Sequence, residues 1–533
     1  MSASAVSANQ DSGSMHRGVI VTVMVLGAFV ALLNQTLLNV AIPHLMNAFG
    51  VDADTVQWLS TAYMLTNGIV VPLSAFLIAT LTTRTLFMGS VLIFVVGTLV
   101  CGAAPSFSVI LAGRVIQAIG AGLMMPLMMT VIMSIYPPET RGKMMGVIGI
   151  AMFFAPALGP TLSGWMIENW SWRLLFYVTI PIGLLDFALA FVFLKNVGEP
   201  RRMKFDIVGF VTSTIGFGTL LYGFSEAGSK QLHDPQVVIP VICGIIFLVF
   251  FVVQELTYDA PMLNLRVFSV SQFSLATIVS SILNMAIFGG ALLVPIYIQN
   301  IRGYSALESG LLMLPGALIM AAMSPISGIL LDRYGVRPLA VIGLSITAVT
   351  TWLYTGLSMD TTYGHVMLLY TLRMFGMSFV AMTIMTSGLN ALPRNLASHG
   401  TAVSNTVRMV ASSLGTAILV TIMSTQSTTH FDAYADMMNV SNASLHNGFM
   451  EVAQSMAYQL KVPLSTGIGV AREIWAQLVQ SNGTVEGIDD AFRVAAGLAV
   501  FALLLSFFLT RPKQQPVAQK ARVQGAASPK ETS

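Results

Sequence analysis

The pattern of hydrophobic and polar positions divides the chain into long apolar runs separated by short polar stretches. The runs are about 20 residues long and do not alternate, so they predict helices that cross a hydrocarbon core of about 30 Å rather than strands of a β-barrel. The fold is therefore predicted to be an all-α integral membrane bundle. Its fourteen predicted transmembrane helices cover residues 18–41, 56–79, 85–104, 108–134, 145–166, 174–194, 207–225, 237–256, 272–298, 307–330, 338–357, 366–390, 402–424 and 491–510.

The composition supports this prediction and excludes several classes of protein. Hydrophobic residues make up 55% of the chain and charged residues 9%, with a mean hydropathy of +0.77. A soluble globular chain carries about 25% charged residues, so this chain lacks the charge to cover a water-facing surface. The formal net charge of +3 is too small to indicate a nucleic-acid partner. Cys101 and Cys243 lie in apolar runs, which argues against a disulfide framework or a cysteine metal site.

The positive charges between the spans predict the orientation in the membrane. An even number of spans places both termini on one side. If that side is the inside, Lys and Arg are about three times as frequent in the inner segments as in the outer loops, in agreement with the positive-inside rule. We therefore predict a multi-pass protein of the cell (inner or plasma) membrane with both termini cytoplasmic. Residues 1–17 are predicted to form a disordered tail, and the basic tail 511–533 is predicted to face the inner leaflet.

Matching stretches predict two repeated halves. Pro72–Arg84 runs from the end of the second span into the following loop and corresponds to Pro325–Arg337 at the end of the tenth. Arg114 in the fourth span corresponds to Arg373 in the twelfth. Repeated halves with a site between them are typical of rocking-type secondary transporters. The predicted units are an N-terminal six-helix half (18–195), an inserted helix pair with flanking loops (196–265), and a C-terminal six-helix half (266–510) that includes a long outer loop (425–490).

The sharpest motif follows the tenth span and consists of Gly328, Asp332, Arg333, Gly335 and Arg337. Glycines let helix ends approach closely, and Asp332 stands just before the next span, where the positive end of a helix favours a carboxylate. Arg333 and Arg337 are placed to pair with that carboxylate or with lipid headgroups. The motif predicts an inner gate; the alternative is a charged loop that only sets the topology.

This motif resembles the signature loop of the major facilitator superfamily. The first-half copy is degenerate, because Ala75 and Ala79 replace the usual Gly and Asp and only Arg84 of the charges remains. Other stretches resemble the fourteen-span drug:proton antiporter branch of the EmrB/QacA type, and the variant Asn34-Gln35-Thr36 is most similar to its lincomycin-resistance subgroup. These stretches are Leu33–Pro43 in the first span, Arg114–Gly122 in the fourth, and the antiporter motif Gly159-Pro160-Thr161-Leu162-Ser163-Gly164 in the fifth.

Two of these stretches have a mechanical interpretation. Gly159, Pro160 and Gly164 lack the bulk of a leucine-rich span, so this helix is expected to kink and to pack tightly against the other half. An arginine at position 114 is surrounded by apolar sequence, and such residues face the bundle interior and mark a pathway or a proton relay. The alternative is a structural arginine that ties helices together.

Polar side chains inside the spans are the candidates for the substrate cavity. Tyr63 and Asn67 are four residues apart, as are Gln35 and Asn39, so each pair shares one helical face. Polar residues also join helices without touching a substrate, and this alternative stays open for each of them. The candidates are Asn34, Gln35, Asn39, Tyr63, Asn67, Gln117 and Asn284.

Proton coupling requires a titratable group inside the membrane. The resemblance places an acid in the first span, but Asn34 stands there and cannot titrate. Asp186 is the one carboxylate well inside a predicted span, where burial favours the protonated form. We predict Asp186 as the exchange site for proton and substrate, with Arg114 as the second residue of proton coupling. The alternative is an aspartate that hydrogen-bonds a neighbouring helix for packing.

No Walker-type phosphate loop or sizeable soluble domain is present, so the expected energy source is a proton gradient and no cofactor is expected. The resemblance implies a proton-coupled multidrug antiporter that exports amphipathic or cationic compounds, such as lincosamides, by alternating access. The alternative is an exporter specific for a metabolite, a siderophore or a single antibiotic. An enzyme or a channel is disfavoured, because the spans hold no clustered nucleophile, metal ligands or filter-like repeat. Some relatives require a periplasmic adaptor, and the sequence leaves open whether one docks on the outer loop.

Overall fold

The computed structural model describes residues 3–51, 53–197, 200, 205–227, 233–258, 261, 263–393, 396–437 and 443–510. Over these residues the chain forms helices and no strands. Short 3₁₀ or π segments occur at Leu265–Ser269, Tyr297–Ile301 and Tyr354–Gly356. The α-helices are α1 (Ala3–Phe49), α2 (Ala53–Thr80), α3 (Thr83–Ala103), α4 (Phe107–Ile135), α5 (Pro138–Asn169), α6 (Leu174–Tyr177), α7 (Thr179–Phe193), α8 (Ile207–Ala227), α9 (Pro235–Thr257), α10 (Ser271–Ile296), α11 (Ala306–Tyr334), α12 (Val336–Leu353), α13 (Tyr363–Ser378), α14 (Thr383–Asn390), α15 (Ala397–Met437), α16 (Ala443–Leu460) and α17 (Leu464–Ser506).

Most of these helices are long and apolar enough to span a membrane. Thirteen such segments occur among the described residues, which confirms the predicted all-α membrane fold. The fourteenth predicted span, 491–510, falls on the last part of α17, which ends at Ser506. Asp489, Asp490 and Arg493 stand at the start of this stretch, and α17 continues only to Ser506 beyond them.

The inserted helix α8, which packs against α9, contacts both halves of the bundle. Thr61 on α2 hydrogen-bonds Ser225 on α8 at 3.0 Å. Thr421 on α15 donates to the carbonyl of Ala227, at the end of α8, at 2.9 Å. The pair therefore lies against the seam between the N-terminal half, α1–α7, and the C-terminal half, α10–α17.

The two halves are packed together at the predicted inner end, where the loops after α2, α4 and α11 lie. One buried hydrophobic cluster there combines Met128 and Met133 of α4 with Met385 and Leu389 of α14. The two other large buried clusters each lie within one half, one in α1–α6 and one in α10–α17. This conformation is thus sealed at the inner end.

Helices also extend beyond the predicted spans. α1 begins at Ala3 and runs through the Ser-rich segment for which a disordered tail was predicted, since no proline interrupts its continuation from the span. The predicted outer loop 425–490 is largely helical, formed by the end of α15, by α16 and by the start of α17. His430 joins two of these helices through Glu486 at 2.8 Å and Asp490 at 3.0 Å. The basic tail from residue 511 lies outside the described residues.

Candidate functional site

Arg114 on α4 is only 1% exposed. Groups that accept its hydrogen bonds or stack on its guanidinium enclose it. Nη1 donates to Asn34 Oδ1 at 3.0 Å and to Gln117 Oε1 at 2.6 Å, while Nε donates to the Leu59 carbonyl at 3.3 Å. The guanidinium carbon lies 4.2 Å from the centre of the Tyr63 ring. The structure therefore brings four predicted site residues from α1, α2 and α4 into one cluster.

Every partner of Arg114 in this cluster is neutral. The amide of Asn34 donates to Thr179 Oγ1 at 3.3 Å and that of Gln117 donates to Thr98 Oγ1 at 2.8 Å. These bonds turn the amide oxygens toward the arginine. The acceptors and the Tyr63 ring offset part of the cost of burying a guanidinium, but they do not cancel its charge. The N-terminal half thus surrounds a centre of positive charge.

Arg373 on α13 is the arginine that the predicted repeat pairs with Arg114. It is 1% exposed and donates through Nη2 to the carbonyl of Ala286 on α10 at 2.8 Å. Its guanidinium also lies directly against Gly290, where an added Cβ would overlap it. Each repeated arginine therefore contacts the first helix of its own half.

The other cavity candidates lie at different depths and in different halves. Asn67 is buried on α2, with its Oδ1 against Gly122 of α4. Gln35 is half-buried. Asn284 is buried in the C-terminal half and donates to the Ser280 carbonyl of its own helix at 2.7 Å. The side chain of Asn39 lies outside those that the structure describes.

Asp186 is fully buried on α7, at 0% exposure, and neither of its carboxylate oxygens has a hydrogen-bond partner among the described residues. Oδ2 faces Gly27 of α1: a Cβ added to Gly27 would lie 2.6 Å from this oxygen, and Phe87 of α3 lies beside the same position. The residue therefore points into the interior of the N-terminal half. The described contacts do not place it in the Arg114 cluster.

Arg408 on α15 is a candidate that the sequence reasoning missed. Its side chain contacts Met385 Sδ at 2.8 Å, and its Nε is buried without a partner in the described part of the chain. The neighbouring Met409 reaches Gly68 of α2, so this part of α15 faces the other half. The sequence did contain a signal for this residue: Arg408 is an arginine inside a predicted span, 402–424, just as Arg114 is an arginine inside the fourth span.

The tightest contact between the halves is the crossing of α5 and α11 at the inner end. Gly328 meets Gly142 so closely that a Cβ on either residue would overlap the backbone of the other helix. One turn farther along, Gly146 packs against Ser324 and Pro325. Small residues at such spacing allow close backbone approach. Sequence reasoning identified Gly328 but not its partners, although Gly142 and Gly146 share one helical face.

Asp332 joins the two halves at this crossing. It lies in the last turn of α11, and its two carboxylate oxygens accept from the backbone N–H groups of Gly142 and Lys143, at 3.1 Å each. Both donors belong to the start of α5, whose positive end favours a carboxylate. The predicted dipole contact is therefore made to α5 of the other half rather than to α12, the helix that follows Asp332.

The remaining gate residues and Arg141 complete the inner end. Gly335 connects α11 to α12 with φ at 83°, a left-handed conformation that favours glycine. Arg333 lies over the ring of Tyr334 at 5.3 Å, and Arg337 is exposed. Arg141 on α5 donates to Asn390 Oδ1 on α14 at 2.9 Å, a second polar link between the halves that sequence reasoning did not single out.

Asp332→Ala is expected to weaken closure of the inner end. The change leaves two backbone N–H groups of α5 without this acceptor, and hydrogen bonds to charged groups contribute about 1.5–3 kcal/mol each. We expect the ratio of closed to open molecules to fall about tenfold or more. Distances between spin labels on the inner ends of α5 and α11 measure this ratio. Asp360→Ala, at an exposed carboxylate in the α12–α13 loop, is the control; equal distance distributions for both variants would contradict the expectation.

The antiporter motif packs α5 against α1 and α11. Gly159 lies against Thr36, and Ser163 Oγ donates to the Leu37 carbonyl of α1 at 2.7 Å. Gly164 faces Leu307 of α11, with 3.7 Å between its added Cβ and that side chain. Pro160 lies inside the continuous helix α5. These residues thus contact both the first helix of their own half and the partner half.

Comparison with known proteins relates this architecture to a family. The profile described as Major Facilitator Superfamily matches residues 24–416. The chain is 48% identical over 500 residues to "Uncharacterized MFS-type transporter YhcA" of Bacillus subtilis (strain 168), with 94% of each chain covered. It is 39% identical over 492 residues to the lincomycin resistance protein LmrB of the same strain, covering 92% of this chain and 95% of the relative.

Solved structures agree with the fold. The human organic anion transporter MFSD10 (TETRAN) superposes with a TM-score of 0.62 and covers 92% of this chain and 99% of its own, at 14% sequence identity. At that identity the likeness concerns the fold alone. The family match and the similarity to lincomycin resistance proteins confirm the resemblance inferred from the motifs and make the protein a transporter rather than an enzyme. The chain belongs to the Major Facilitator Superfamily, as a multi-pass membrane protein similar to the lincomycin resistance proteins of its drug-export branch.

Proposed function

We propose that this protein is a proton-coupled multidrug exporter of the cell membrane that works by alternating access, with both termini cytoplasmic. The observation that carries the proton-coupling proposal is Asp186, a fully buried carboxylate whose two oxygens have no partner among the described residues. An ionised carboxylate is very costly in such a place, so a bound proton stabilises it. Drug export is supported by the similarity to a lincomycin resistance protein, which makes lincosamides the first substrates to examine.

Proton binding at Asp186 acts on the Arg114 cluster through the contact between α1 and α7. Asp186 of α7 faces Gly27 of α1. Seven residues away along each helix, Thr179 of α7 accepts a hydrogen bond from Asn34 of α1, and Asn34 in turn accepts one from Arg114. Seven residues correspond to about 10 Å along a helix. Protonation at Asp186 therefore changes how α1 and α7 approach each other, and the change reaches Asn34. In this proposal the proton and the substrate bind at different places and do not compete for one carboxylate.

The charge of the buried groups bears on the class of substrate. Arg114, Arg373 and Arg408 form no ion pair with an acid among the described residues. A cationic compound would meet this positive potential without a compensating carboxylate, whereas neutral or acidic amphipathic compounds would not be repelled. We therefore propose neutral and acidic amphipathic substrates in place of the cationic class expected from the family resemblance.

Asp186→Asn is expected to uncouple export from the proton gradient. The amide cannot titrate, so drug-induced proton release in inverted membrane vesicles should be lost. Asp234→Asn is the matched control, because Asp234 caps α9 through the Gln236 N–H and an asparagine caps a helix equally well. Unchanged proton release with Asp186→Asn would refute the assignment.

The same vesicles separate multidrug export from the alternative of a substrate-specific exporter. The panel contains lincosamides, other neutral amphipaths, acidic amphipaths and quaternary ammonium cations. Export of several unrelated neutral or acidic compounds supports the proposal. Export of a single compound supports the substrate-specific alternative, and preferential export of the cations would contradict the proposed substrate class.

A further inference from the structure

Two acidic residues that the transport proposal does not use meet at the inner end of the inserted helix pair. Asp206 stands immediately before α8 and Glu255 lies in the last turn of α9. They are 4% and 1% exposed. Few carboxylates are buried to this degree without an ion pair or a metal.

Each carboxylate is held by one oxygen. Asp206 Oδ1 accepts from the Gly209 N–H at 2.8 Å, which caps α8, and from Gln254 Nε2 at 3.4 Å. Glu255 Oε2 accepts from the Leu263 N–H at 2.9 Å. These bonds fix the orientation of both groups and leave one oxygen of each free to face something else.

The two remaining oxygens, Asp206 Oδ2 and Glu255 Oε1, have no partner among the described residues. Both point to the same place beside Gly209: a Cβ built there would lie 2.5 Å from Oδ2 and 2.9 Å from Oε1. Two ionised carboxylates facing one point in a buried site repel each other strongly, and one of them then keeps its proton. We propose that Asp206 and Glu255 together bind one proton, at a site separate from Asp186.

In the described contacts, no charged or titratable group of the adjoining elements binds the two unpartnered oxygens in place of a proton. In the segment that leads to α10, Arg266 is exposed and its N–H is capped by Asn264. His399, at the start of α15, accepts from the Asn264 N–H through Nδ1 at 3.2 Å. The other acids of α2 and α8, Asp54 and Glu226, belong to the opposite ends of these helices.

The site ties the inserted pair to the C-terminal half. Glu255 holds the N–H of Leu263, and the next residue, Asn264, contacts His399 of α15. A proton that enters or leaves the pair changes the charge at the joint between α8, α9 and this connecting segment. The inserted pair thereby gains a sensitivity to pH at the inner end that does not depend on the transport cycle.

The experiment uses the purified full-length protein and infrared spectroscopy during a pH titration. A protonated carboxyl group absorbs separately from a carboxylate, so the pair should contribute one protonated group that disappears as the pH rises. Asp206→Asn and Glu255→Gln should each abolish this contribution. Either amide can donate N–H to the remaining carboxylate, and its oxygen can still accept from the backbone N–H. Either variant should therefore also remove the loss of thermal stability that ionisation of both acids causes as the pH rises.

Two further measurements test this proposal separately from the transport proposal and also when the variants fail to fold. Asp186→Asn should retain the signal of the pair, so failure of the proton-coupling assignment leaves this test intact; Asp234→Asn is again the control. If the variants do not purify, wild-type protein with ¹³C-labelled aspartate or glutamate carboxyl groups should show the shifted band from one of these residue types. An unchanged titration in both variants, or the absence of any protonated band besides that of Asp186, overturns the proposal.

Discussion

Gly328→Ala is expected to reduce export severely, because the inner end can no longer close as it does in this structure. The added methyl group would overlap the backbone carbonyl of Gly142 on α5, and a backbone atom cannot move aside as the end of a flexible side chain can. Overpacking of this kind costs about 1–3 kcal/mol. A cost of that size changes a two-state equilibrium by about 5- to 150-fold, and an alternating-access carrier that cannot close its inner end cannot complete its cycle.

Drug export from inverted vesicles measures the effect, with protein amount in the membrane determined in parallel. Gly497→Ala is the matched control, since Gly497 lies exposed on α17 and no atom is within 4 Å of its added Cβ. Spin labels on the inner ends of α5 and α11 should show a wider separation in Gly328→Ala only. Normal export together with an unchanged separation would show that this crossing does not limit closure.

Arg114→Met is expected to abolish export and to lower the thermal stability of the protein. Methionine fills much of the same volume but donates no hydrogen bond, so Asn34 Oδ1, Gln117 Oε1 and the Leu59 carbonyl lose their donor. A buried polar group left without a partner costs about 1–3 kcal/mol. Asn34 would also lose the contact that connects α1 to α4, and with it the proposed route from Asp186.

Arg114→Lys separates charge from geometry. Lysine keeps the positive charge but has no planar guanidinium to serve three acceptors and stack on Tyr63, so we expect it to restore little export. Arg472→Met, at an exposed position on α17, is the control for loss of a cation. Thermal unfolding and export, measured on the same preparations, test both effects. If Arg114→Met has the export and thermal stability of the wild-type protein, the Arg114 cluster has no role in either.

The predicted and observed structures agree best where the signal is local in the chain. Apolar length predicted the spans, and all-α membrane architecture follows from it. The prediction was less complete in the segments 1–17 and 425–490, whose polar residues resemble a tail and a loop. Where the structure describes these segments, they form the start of α1, the end of α15, α16 and the start of α17. A helix already nucleated by a long span extends through polar residues at little further cost, and composition does not reveal this.

The sequence by itself determined the apolar spans, the family, and the presence of Arg114, Arg373 and Asp186 inside these spans, and it predicted two repeated halves, because length, charge and motif are properties of neighbouring residues. Only the tertiary structure decided which groups these residues meet. It placed Asn34 on Arg114, Gly27 against Asp186, Asp332 on α5, and Asp206 beside Glu255. The physical reason is that helices apolar on all sides have no amphipathic stripe to indicate which face is buried. The rotation of each helix, and therefore each polar contact, is set by packing against its neighbours.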